Sequence, residues 1–538
     1  MPAQEHILRR GPLLGFLATL AAFLALRAPL LDYPYFGDDD FFVREALAPV
    51  GTFRGNGQPI LFGLLLKAGM AVFGWEWLRL VPFLFSLGTL GFTWILGRRL
   101  LGTEKGLWAA GLLALSPWSV FVAAQLDIYG AVFALLVCGL CWFYWSWLEG
   151  GSLGSLVLAG LCFGLLWLSS LSASLVLVAI AAHCAQERGA KRAAMAMGFI
   201  FAVGLAMFSI YAVSFPGHFQ LALSKGGGTL EGMAARLGSL STPAGLRLYL
   251  NSFSKALIFM GPLFCWGLVS GLISKESRRR LALPLWLCLV YMAGICLLLN
   301  PHKLVIYWTA VLPLLAIITA ASIERGEAAR AAAWSAAFMA VLALLTWAGS
   351  YSVQPIHPRL NGSWEGLFRF LPVRIFFGPS LSFYVKPAAV LFAFIACAAL
   401  ALRGAKARAS LIGLGLAYSL FYSVEYTYSA LSPDLDRTGR EVLAALSSPG
   451  VKPPIYLHGY GALACQKAGM KVDSFLYDAG EMPSLMARME KSRGTVVIMN
   501  SPAIGSDAEL KRFLADKAVL VRAFSDSGTV LAEIWELR

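Results

Sequence analysis

Three consecutive carboxylates, Asp38, Asp39 and Asp40, follow the first long apolar segment of the chain. Aromatic residues flank them on both sides, which indicates that this backbone packs against another part of the protein. A carboxylate in a partly dry surface site can act as a general base or bind a metal ion. Asp38 and Asp39 are candidates for both roles. The alternative is that the acids cap a helix over 41–48, where the helix dipole favours negative charge.

A fourth acid, Asp127, interrupts the apolar sequence SPWSVFVAAQLDIYGAVF. It falls at the predicted outer end of one membrane span or the start of the next, on the same side as the three acids at 38–40. An ionisable residue at that depth is a functional hypothesis by default, and the alternative is a helix N-cap. Asp127 joins Asp38 and Asp39 as a candidate ligand of a divalent metal ion.

Candidate cations occur near the same predicted surface. Lys303 opens a later apolar segment and Tyr307 follows it by one helical turn, a pair suited to holding a lipid phosphate. The alternative is an interfacial anchor whose charged end reaches the headgroups. His302 is a weaker candidate for the same pocket. Arg44 lies six residues after Asp38 and could pair with the acids or with a phosphate.

The composition indicates what kind of scaffold holds these residues. Of 538 residues, 58% are hydrophobic and 14% are charged, and the mean hydropathy is +0.69, which is typical of a polytopic membrane protein. The net charge of +14 comes from short basic clusters between apolar runs, so it indicates anchoring beside lipid headgroups and not nucleic-acid binding. Eight of the nine cysteines fall in apolar segments, which predicts no disulfide framework.

A bilayer-crossing helix needs about 20 apolar residues, and the chain contains about thirteen candidates, the first of them an uncleaved N-terminal span. The fifth and sixth candidates are short and separated only by a serine-rich turn. The predicted spans are 11–31, 78–97, 106–124, 129–148, 154–169, 171–185, 195–214, 255–273, 281–299, 304–322, 331–350, 385–402 and 409–429.

Charge alternation between the spans predicts their orientation, because short cytoplasmic loops collect Lys and Arg. Every second loop is basic, and the remaining loops are long or acidic. The pattern predicts a multi-pass protein of the plasma (inner) membrane with a cytoplasmic N-terminus. It places the acids at 38–40 and the C-terminus outside the cytoplasm.

Two extracytoplasmic parts are predicted beside the spans. The first outer loop, 32–77, is expected to form a cap that contains an interfacial helix over 59–73. After the last span, short alternating segments predict strands with helices such as SDAELKRFLAD between them. The predicted strand segments are IYLHGYGALA, KVDSFLY, TVVIMN, AVLVRAF and TVLAEIWEL. The prediction is therefore a transmembrane domain over 1–430 and a small α/β domain over 431–538.

Four segments resemble the GT-C class of membrane glycosyltransferases, in particular the branch of protein O-mannosyltransferases and lipid A aminoarabinose transferases. They are the acidic pair after the first span, QPILFGLLLKAGMAVFG with WLRLVPFLFSLGTL, SPWSVFVAAQLDIYGAVFALL, and NPHKLVIYWTAVLPLLAI. The resemblance covers the chain from end to end. Two departures stand out: Gln58-Pro59-Ile60 replaces a family Lys-Pro-Pro, and Leu168-Ser169-Ser170 replaces a Thr-Lys-Gly segment.

The resemblance implies an inverting glycosyltransferase that moves a sugar from a polyprenyl-phosphate-linked donor to a hydroxyl on a lipid, glycan or protein. It assigns catalysis to Asp38 or Asp39, a second acidic role to Asp127, and phosphate binding to Lys303. The competing hypotheses are a transporter or lipid-linked glycan flippase, and a non-catalytic relative of the class. A transporter would be expected to bury charges at mid-span and to show repeat symmetry.

Overall fold

The computed structural model consists of two compact units. The first unit comprises 1–31, 45–348 and 387–424, and the second comprises 32–44, 349–386 and 425–538. Parts of both units are described residue by residue. The described residues are 2–32, 42–43, 46–47, 60–126, 129–220, 234, 238–239, 241–243, 260–261, 263–298, 307–324, 326–327, 330–337, 340, 375–377, 381–383, 404–428, 434–458, 462–475, 482–499, 508–526 and 529–538.

Helices make up the described part of the first unit. Long apolar segments satisfy their own backbone hydrogen bonds most readily as helices. The helices are α1 (Pro2–Arg27), α2 (Leu61–Phe73), α3 (Leu80–Leu101), α4 (Thr103–Leu115), α5 (Pro117–Ala124), α6 (Tyr129–Gly150), α7 (Leu153–Ser169), α8 (Ala173–Arg188), α9 (Ala190–Ser214), α10 (Leu263–Ile273), α11 (Lys275–Arg280), α12 (Ala282–Leu298), α13 (Leu312–Ser322) and α14 (Ala405–Tyr428), the last of which runs on into the second unit.

A helix occupies all or part of every predicted span between residues 11 and 322, and α14 occupies the last one. Span 331–350 is described mainly in its first two turns, and 385–402 lies outside the described residues. Within the described ranges, 4 helices are long and apolar enough to cross a membrane alone, or up to 5 if a bent pair is one span. The predicted helix over 59–73 is present as α2, a rod of about 20 Å that is too short to cross.

The third predicted span, 106–124, is not one straight helix. It consists of α4 and α5, whose axes differ in direction by 62°. Pro117 is the first residue of α5 and Ser116 before it is extended, with φ −67° and ψ 122°. Proline disfavours helical geometry in the preceding residue and cannot donate the next helical hydrogen bond, so the helix ends and restarts in a new direction.

Small residues bring α7 and α9 close together. Gly160 and Gly164 form a GxxxG pair on α7, and a Cβ atom at Gly164 would lie 2.4 Å from the Met207 sulfur of α9. A Cβ atom at Gly204 of α9 would lie 2.7 Å from the Phe163 ring. Close backbone approach of this kind is a principal means of helix association in lipid. Lipid tails are as apolar as the side chains, so the hydrophobic effect contributes little and van der Waals packing drives association.

Replacing Gly204 by Leu is expected to destabilise the protein by about 1–3 kcal/mol, because the new side chain must displace the Phe163 ring. Thermal unfolding of the detergent-purified protein would measure the loss. Gly198 is the matched control, since it is exposed on the same helix and a Cβ atom there would meet no atom of a neighbouring helix within 4 Å. Equal stability of Gly204→Leu and Gly198→Leu would contradict this packing.

Polar contacts join the helix ends that the charge pattern assigns to the cytoplasmic side. Arg99 after the second span pairs with Glu149 after the fourth, at 2.6 Å. Arg408 pairs with buried Glu327 at 2.7 Å and with Glu324 at 3.0 Å. The other such contacts are Lys105 to the Ala321 carbonyl, Arg188 to the Leu148 carbonyl, and Trp286 to the Gln186 amide oxygen. The grouping of these ends agrees with the predicted alternation, and which end faces the cytoplasm stays a prediction.

In the second unit, a five-stranded mixed sheet is described. Its strands have the order β4-β3-β5-β7-β6, and β3 is parallel to β4 and β5, whereas β7 is antiparallel to β5 and β6. A separate antiparallel hairpin was not predicted. The hairpin strands are β1 (Ile375–Phe377) and β2 (Leu381–Phe383), and the sheet strands are β3 (Ile455–His458), β4 (Val472–Phe475), β5 (Thr495–Met499), β6 (Ala518–Asp526) and β7 (Thr529–Leu537).

Each face of this sheet has its own apolar core. Alternate residues of β3 point to opposite faces. Leu457 therefore packs with the helix over 434–446 on one side, and Tyr456 packs with the helices over 482–492 and 508–517 on the other. The sheet strands occur at the positions where the sequence predicts them. The helices of this unit are α15 (Asp434–Leu446), α16 (Ala462–Lys467), α17 (Met482–Ser492) and α18 (Ala508–Lys517).

Candidate functional site

One of the predicted site residues, Tyr307, is described by the structure. The others lie outside the described residues, and their assignment stays a prediction. They are Asp38, Asp39, Arg44, Asp127, His302 and Lys303. The site is therefore built from Tyr307 and from the described residues that flank Asp127.

Tyr307 packs against the first residue of α6. Its ring lies edge-on to the ring of Tyr129, with centroids 4.7 Å apart and an interplanar angle of 83°. The ring of Phe62 in α2 also lies edge-on to Tyr129, at 6.0 Å. Tyr129 follows Asp127 by two residues and Tyr307 follows Lys303 by four. The fold thus brings together the chain segments that carry two of the predicted site residues.

The Tyr129 hydroxyl belongs to a buried group that we name the tyrosine–serine cluster: Tyr129, Ser170, Ser172 and Tyr291. The Tyr129 hydroxyl is hydrogen-bonded to Tyr291 at 2.6 Å and to Ser172 at 2.8 Å. The Ser172 hydroxyl is also hydrogen-bonded to Ser170 at 2.9 Å. Tyr129, Ser172 and Tyr291 are buried, with 2%, 8% and 0% of their surface exposed.

This cluster connects three parts of the bundle that are distant in sequence. Tyr129 begins α6, the serines form the turn between α7 and α8, and Tyr291 lies within α12. Buried hydroxyls are stable only when they are hydrogen-bonded, and removing one partner leaves the others in apolar surroundings. The hydrogen bonds therefore fix the start of α6 relative to α7, α8 and α12.

A buried arginine holds the end of α5 on the other side of Asp127. The Arg79 guanidinium donates to the carbonyl oxygen of Ala124, the last residue of α5. Carbonyls in the last turn of a helix have no partner within the helix, and an arginine can supply one. Arg79 is 4% exposed, so the interaction is shielded from water.

A second arginine holds the break between α4 and α5. Arg27, 1% exposed, donates to the Ala114 carbonyl and to the Ser119 hydroxyl, both at 2.9 Å, and its guanidinium lies 4.0 Å from the Phe23 ring centroid. The Ser423 hydroxyl donates to the neighbouring Leu115 carbonyl at 2.8 Å. Side chains thus satisfy carbonyls that the bend leaves without helical partners. Within the described ranges, no carboxylate pairs with Arg27.

Gly130 allows the start of α6 to approach the segment that follows Tyr307. A Cβ atom at Gly130 would lie 2.7 Å from the Thr309 hydroxyl and 2.8 Å from a methyl group of Val122. Beside this contact is a cavity of about 20 Å³, lined in part by Ser86, Thr89 and Thr309. It has room for about one water molecule and is too small for a sugar.

The two segments that depart from the family pattern lie against each other. Ile60, two residues after Gln58, packs with Leu168 and Tyr211 in one buried cluster. The Tyr211 hydroxyl and the imidazole Nδ1 of buried His218 are 2.6 Å apart in the same region. Leu168 begins the Leu168-Ser169-Ser170 segment and Ser170 belongs to the tyrosine–serine cluster. Each of the two departing segments therefore contributes a residue, Ile60 or Leu168, to the same buried cluster.

The residues described by the structure contain no group of three His, Cys, Asp or Glu side chains that could hold a metal ion. The acids predicted as metal ligands, Asp38, Asp39 and Asp127, lie outside those residues. A metal site therefore stays a prediction.

Sequence reasoning missed the tyrosine–serine cluster and both arginines. Arg27 and Arg79 each lie at the end of an apolar segment, where a charged residue also fits an ordinary interfacial anchor. Tyr129 and Tyr291 lie in apolar segments and resemble core aromatic residues. One signal was present, since Pro117 inside a predicted span indicates a break whose freed carbonyls need donors.

Comparison with known proteins shows what this chain is similar to. Residues 57–213 match the family described as dolichyl-phosphate-mannose-protein mannosyltransferase. The chain is similar in structure to ArnT from Cupriavidus metallidurans bound to undecaprenyl phosphate, at 13% identity and a TM-score of 0.54 over 97% of each chain. The apo form of that protein is similar at 13% identity and 0.54, over 99% of this chain and 98% of that one. The Archaeoglobus fulgidus oligosaccharyltransferase has 13% identity and a TM-score of 0.44, over 96% and 73%. No curated protein matches the sequence.

The protein has the fold of the GT-C membrane glycosyltransferases. Residues 57–213 are similar to the mannosyltransferase family and the whole chain is similar in fold to ArnT, which agrees with the resemblance predicted from the sequence. The segment that matches the mannosyltransferase family extends from α2 to α9 and contains Asp127. It begins after the acids at 38–40 and ends before Lys303.

Proposed function

We propose that this protein is an inverting glycosyltransferase that moves a sugar from a polyprenyl-phosphate-linked donor to a hydroxyl acceptor on the extracytoplasmic face. The contact between Tyr129 and Tyr307 carries this proposal, because it joins the segments of Asp127 and Lys303. The mannosyltransferase match and the GT-C fold support the reaction class. The undecaprenyl phosphate bound by ArnT supports a lipid-linked donor.

The proposed reaction is an in-line displacement at the anomeric carbon. The acceptor oxygen forms the new bond to that carbon while the bond to the lipid phosphate oxygen breaks, which inverts the configuration. Asp38 takes the proton of the acceptor hydroxyl, and Asp39 orients Asp38. The lipid phosphate leaves with the electron pair of the broken bond, and Lys303 stabilises the charge that develops on it.

Neutral donors take a larger part in phosphate binding here than the family pattern implies. Lysines are missing at Gln58 and in the Leu168-Ser169-Ser170 segment, and the structure brings these segments together through Ile60 and Leu168. Tyr307 lies beside Tyr129 and is half-buried, so its hydroxyl is a suitable donor to a phosphate held by Lys303. Arg44 and His302 are further donors in this proposal.

The transporter hypothesis is not favoured, because the family match and the fold both indicate glycosyltransferases. The deciding experiment supplies the protein, purified in lipid nanodiscs, with polyprenyl-phosphate sugars radiolabelled in the sugar. Release of the lipid phosphate with labelled sugar on an acceptor supports the proposal. The same protein in vesicles moving labelled donor across the bilayer without cleavage would overturn it in favour of transport, and the absence of both in a folded protein would favour the non-catalytic relative.

A divalent metal ion bound by Asp38, Asp39 and Asp127 is a separate part of the proposal. Such an ion would add positive charge near the leaving phosphate. Treatment with EDTA followed by addition of Mg²⁺ or Mn²⁺ tests it in the same assay. Loss and recovery of transfer would support the ion, and unchanged transfer after chelation would remove it from the proposal.

A further inference from the structure

Buried side chains hold Ala124 and Tyr129, which lie on either side of Asp127 in the sequence. We propose that Arg79, Ser172 and Tyr291 are positioning residues: they hold Ala124 and Tyr129, and thereby keep the Asp127 carboxylate between them in its working position. The role of Asp127 in sugar transfer rests on the function proposed above. The anchoring itself depends on contacts among described residues alone.

The first anchor is the hydrogen bond from Arg79 to the Ala124 carbonyl. Helix α5 has 8 residues and is bent away from α4, so it has little helical continuity to hold it in place. Arg79 immediately precedes α3, a helix of 22 residues that packs against α4 and α6. The guanidinium therefore ties the end of a short helix to a long one.

The second anchor is the tyrosine–serine cluster. The Tyr129 hydroxyl has two partners, Tyr291 and Ser172, from two different parts of the bundle. Hydrogen bonds to two partners in different directions fix the orientation of the Tyr129 ring, whereas a single hydrogen bond would allow the ring to rotate about it. Gly130 adds a steric limit, since the start of α6 already lies so close to Thr309 and Val122 that there is no room for a Cβ atom.

The distance between the anchors along the chain is short. After Ala124, Gln125 and Leu126 are buried, with 6% and 0% of their surface exposed, and Tyr129 begins the next helix. Consecutive Cα atoms are about 3.8 Å apart, so a residue two positions before Tyr129 cannot move far from it. Fixing Ala124 and Tyr129 therefore limits where residue 127 can be.

If these residues act through Asp127, conservative changes should lower kcat and leave KM nearly unchanged. Tyr291→Phe and Arg79→Lys are each expected to reduce kcat by about 10- to 100-fold, the scale on which a misplacement of about 1 Å acts. Asp127→Asn should reduce kcat at least as much. Adding Tyr291→Phe to Asp127→Asn should then cause little further loss, because effects that pass through one group are not additive. Full additivity would overturn the positioning role.

The matched control is Tyr144→Phe. Tyr144 lies at the opposite end of α6 and is as buried as Tyr291, and its hydroxyl is 2.9 Å from the imidazole Nδ1 of His183. Tyr144→Phe removes a buried tyrosine hydroxyl that contacts neither anchor. Kinetics of Tyr144→Phe close to wild type, at a similar melting temperature, are expected. A loss of kcat equal to that of Tyr291→Phe would indicate a general structural effect and overturn the proposal.

Amide hydrogen exchange tests the anchors without sugar transfer. In the full-length protein in nanodiscs, Tyr291→Phe and Arg79→Lys should speed exchange in a peptide covering 125–131, and Tyr144→Phe should not. Unchanged exchange in both anchor variants would overturn the anchoring. If the wild-type protein transfers no sugar, the proposed function fails, while the exchange experiment still decides whether the anchors restrain residues 125–131.

Discussion

Asp38→Asn is expected to lower sugar transfer by about 10²- to 10⁴-fold, the usual effect of removing a positioned general base. Asparagine keeps the shape of the side chain but cannot accept the proton of the acceptor hydroxyl. The protein should still reach the membrane in normal amount, because one loop carboxylate does not determine insertion of the apolar helices. Transfer from radiolabelled polyprenyl-phosphate sugar measures the loss, and the membrane content of the variant normalises it.

The neighbouring acids provide the controls for Asp38. Asp39→Asn is expected to cause a smaller but clear loss, because Asp39 orients the base. Asp40→Asn is expected to leave transfer near normal, since the resemblance assigns catalysis to Asp38 or Asp39 and not to Asp40. Near-normal transfer by both Asp38→Asn and Asp39→Asn would disprove the assignment of catalysis to this loop. A loss in all three variants together with a lower melting temperature would instead favour the helix-capping interpretation.

Lys303→Gln is expected to lower kcat by about 10²- to 10³-fold, the effect of removing one group that stabilises charge in a transition state. The charge on the lipid phosphate increases as the bond to the sugar breaks, so a cation beside it stabilises the transition state more than the bound donor. The loss should therefore appear mainly in kcat. Initial rates over a range of donor concentrations separate kcat from KM.

Lys303→Arg separates phosphate binding from membrane anchoring. Arginine keeps the positive charge but presents it on a wider, planar group, so transfer should recover only in part. An interfacial anchor would accept Gln or Arg with little change in rate, because it takes no part in sugar transfer. Normal kcat in both variants would leave Lys303 as an anchor and require another cation for the phosphate.

Much of the helical scaffold was predictable from the sequence. Uninterrupted apolar runs must form helices in lipid, so α1, α3, α6 and α9 occur where hydropathy places them. The basic loops also predicted which helix ends lie together, and the Arg99–Glu149 and Arg408–Glu327 contacts agree with that grouping. In the second unit, short alternating segments located the strands of the sheet, although the hairpin of β1 and β2 was missed.

The bend between α4 and α5 was harder to predict from the sequence. A window of apolar residues has the same hydropathy whether its helix is straight or broken, and Pro117 can be tolerated within a span when neighbours satisfy the freed carbonyls. Those neighbours, Arg27 and Ser423, are far from the bend in sequence. The break is stable because their side chains donate hydrogen bonds to the Ala114 and Leu115 carbonyls in the folded protein.

Composition, hydropathy and charge therefore indicated a polytopic membrane protein, the positions of its helices, and the chemistry that its acids and Lys303 could perform. These properties depend on each residue and its near neighbours in the chain. The anchoring of Ala124 and Tyr129, on either side of Asp127 in the sequence, depends instead on long-range contacts: Arg79 on the Ala124 carbonyl, and Tyr291 and Ser172 on the Tyr129 hydroxyl. Hydrogen bonds between residues more than 40 positions apart leave no periodic pattern in a sequence, so only the packed helices reveal that Ala124 and Tyr129 are held.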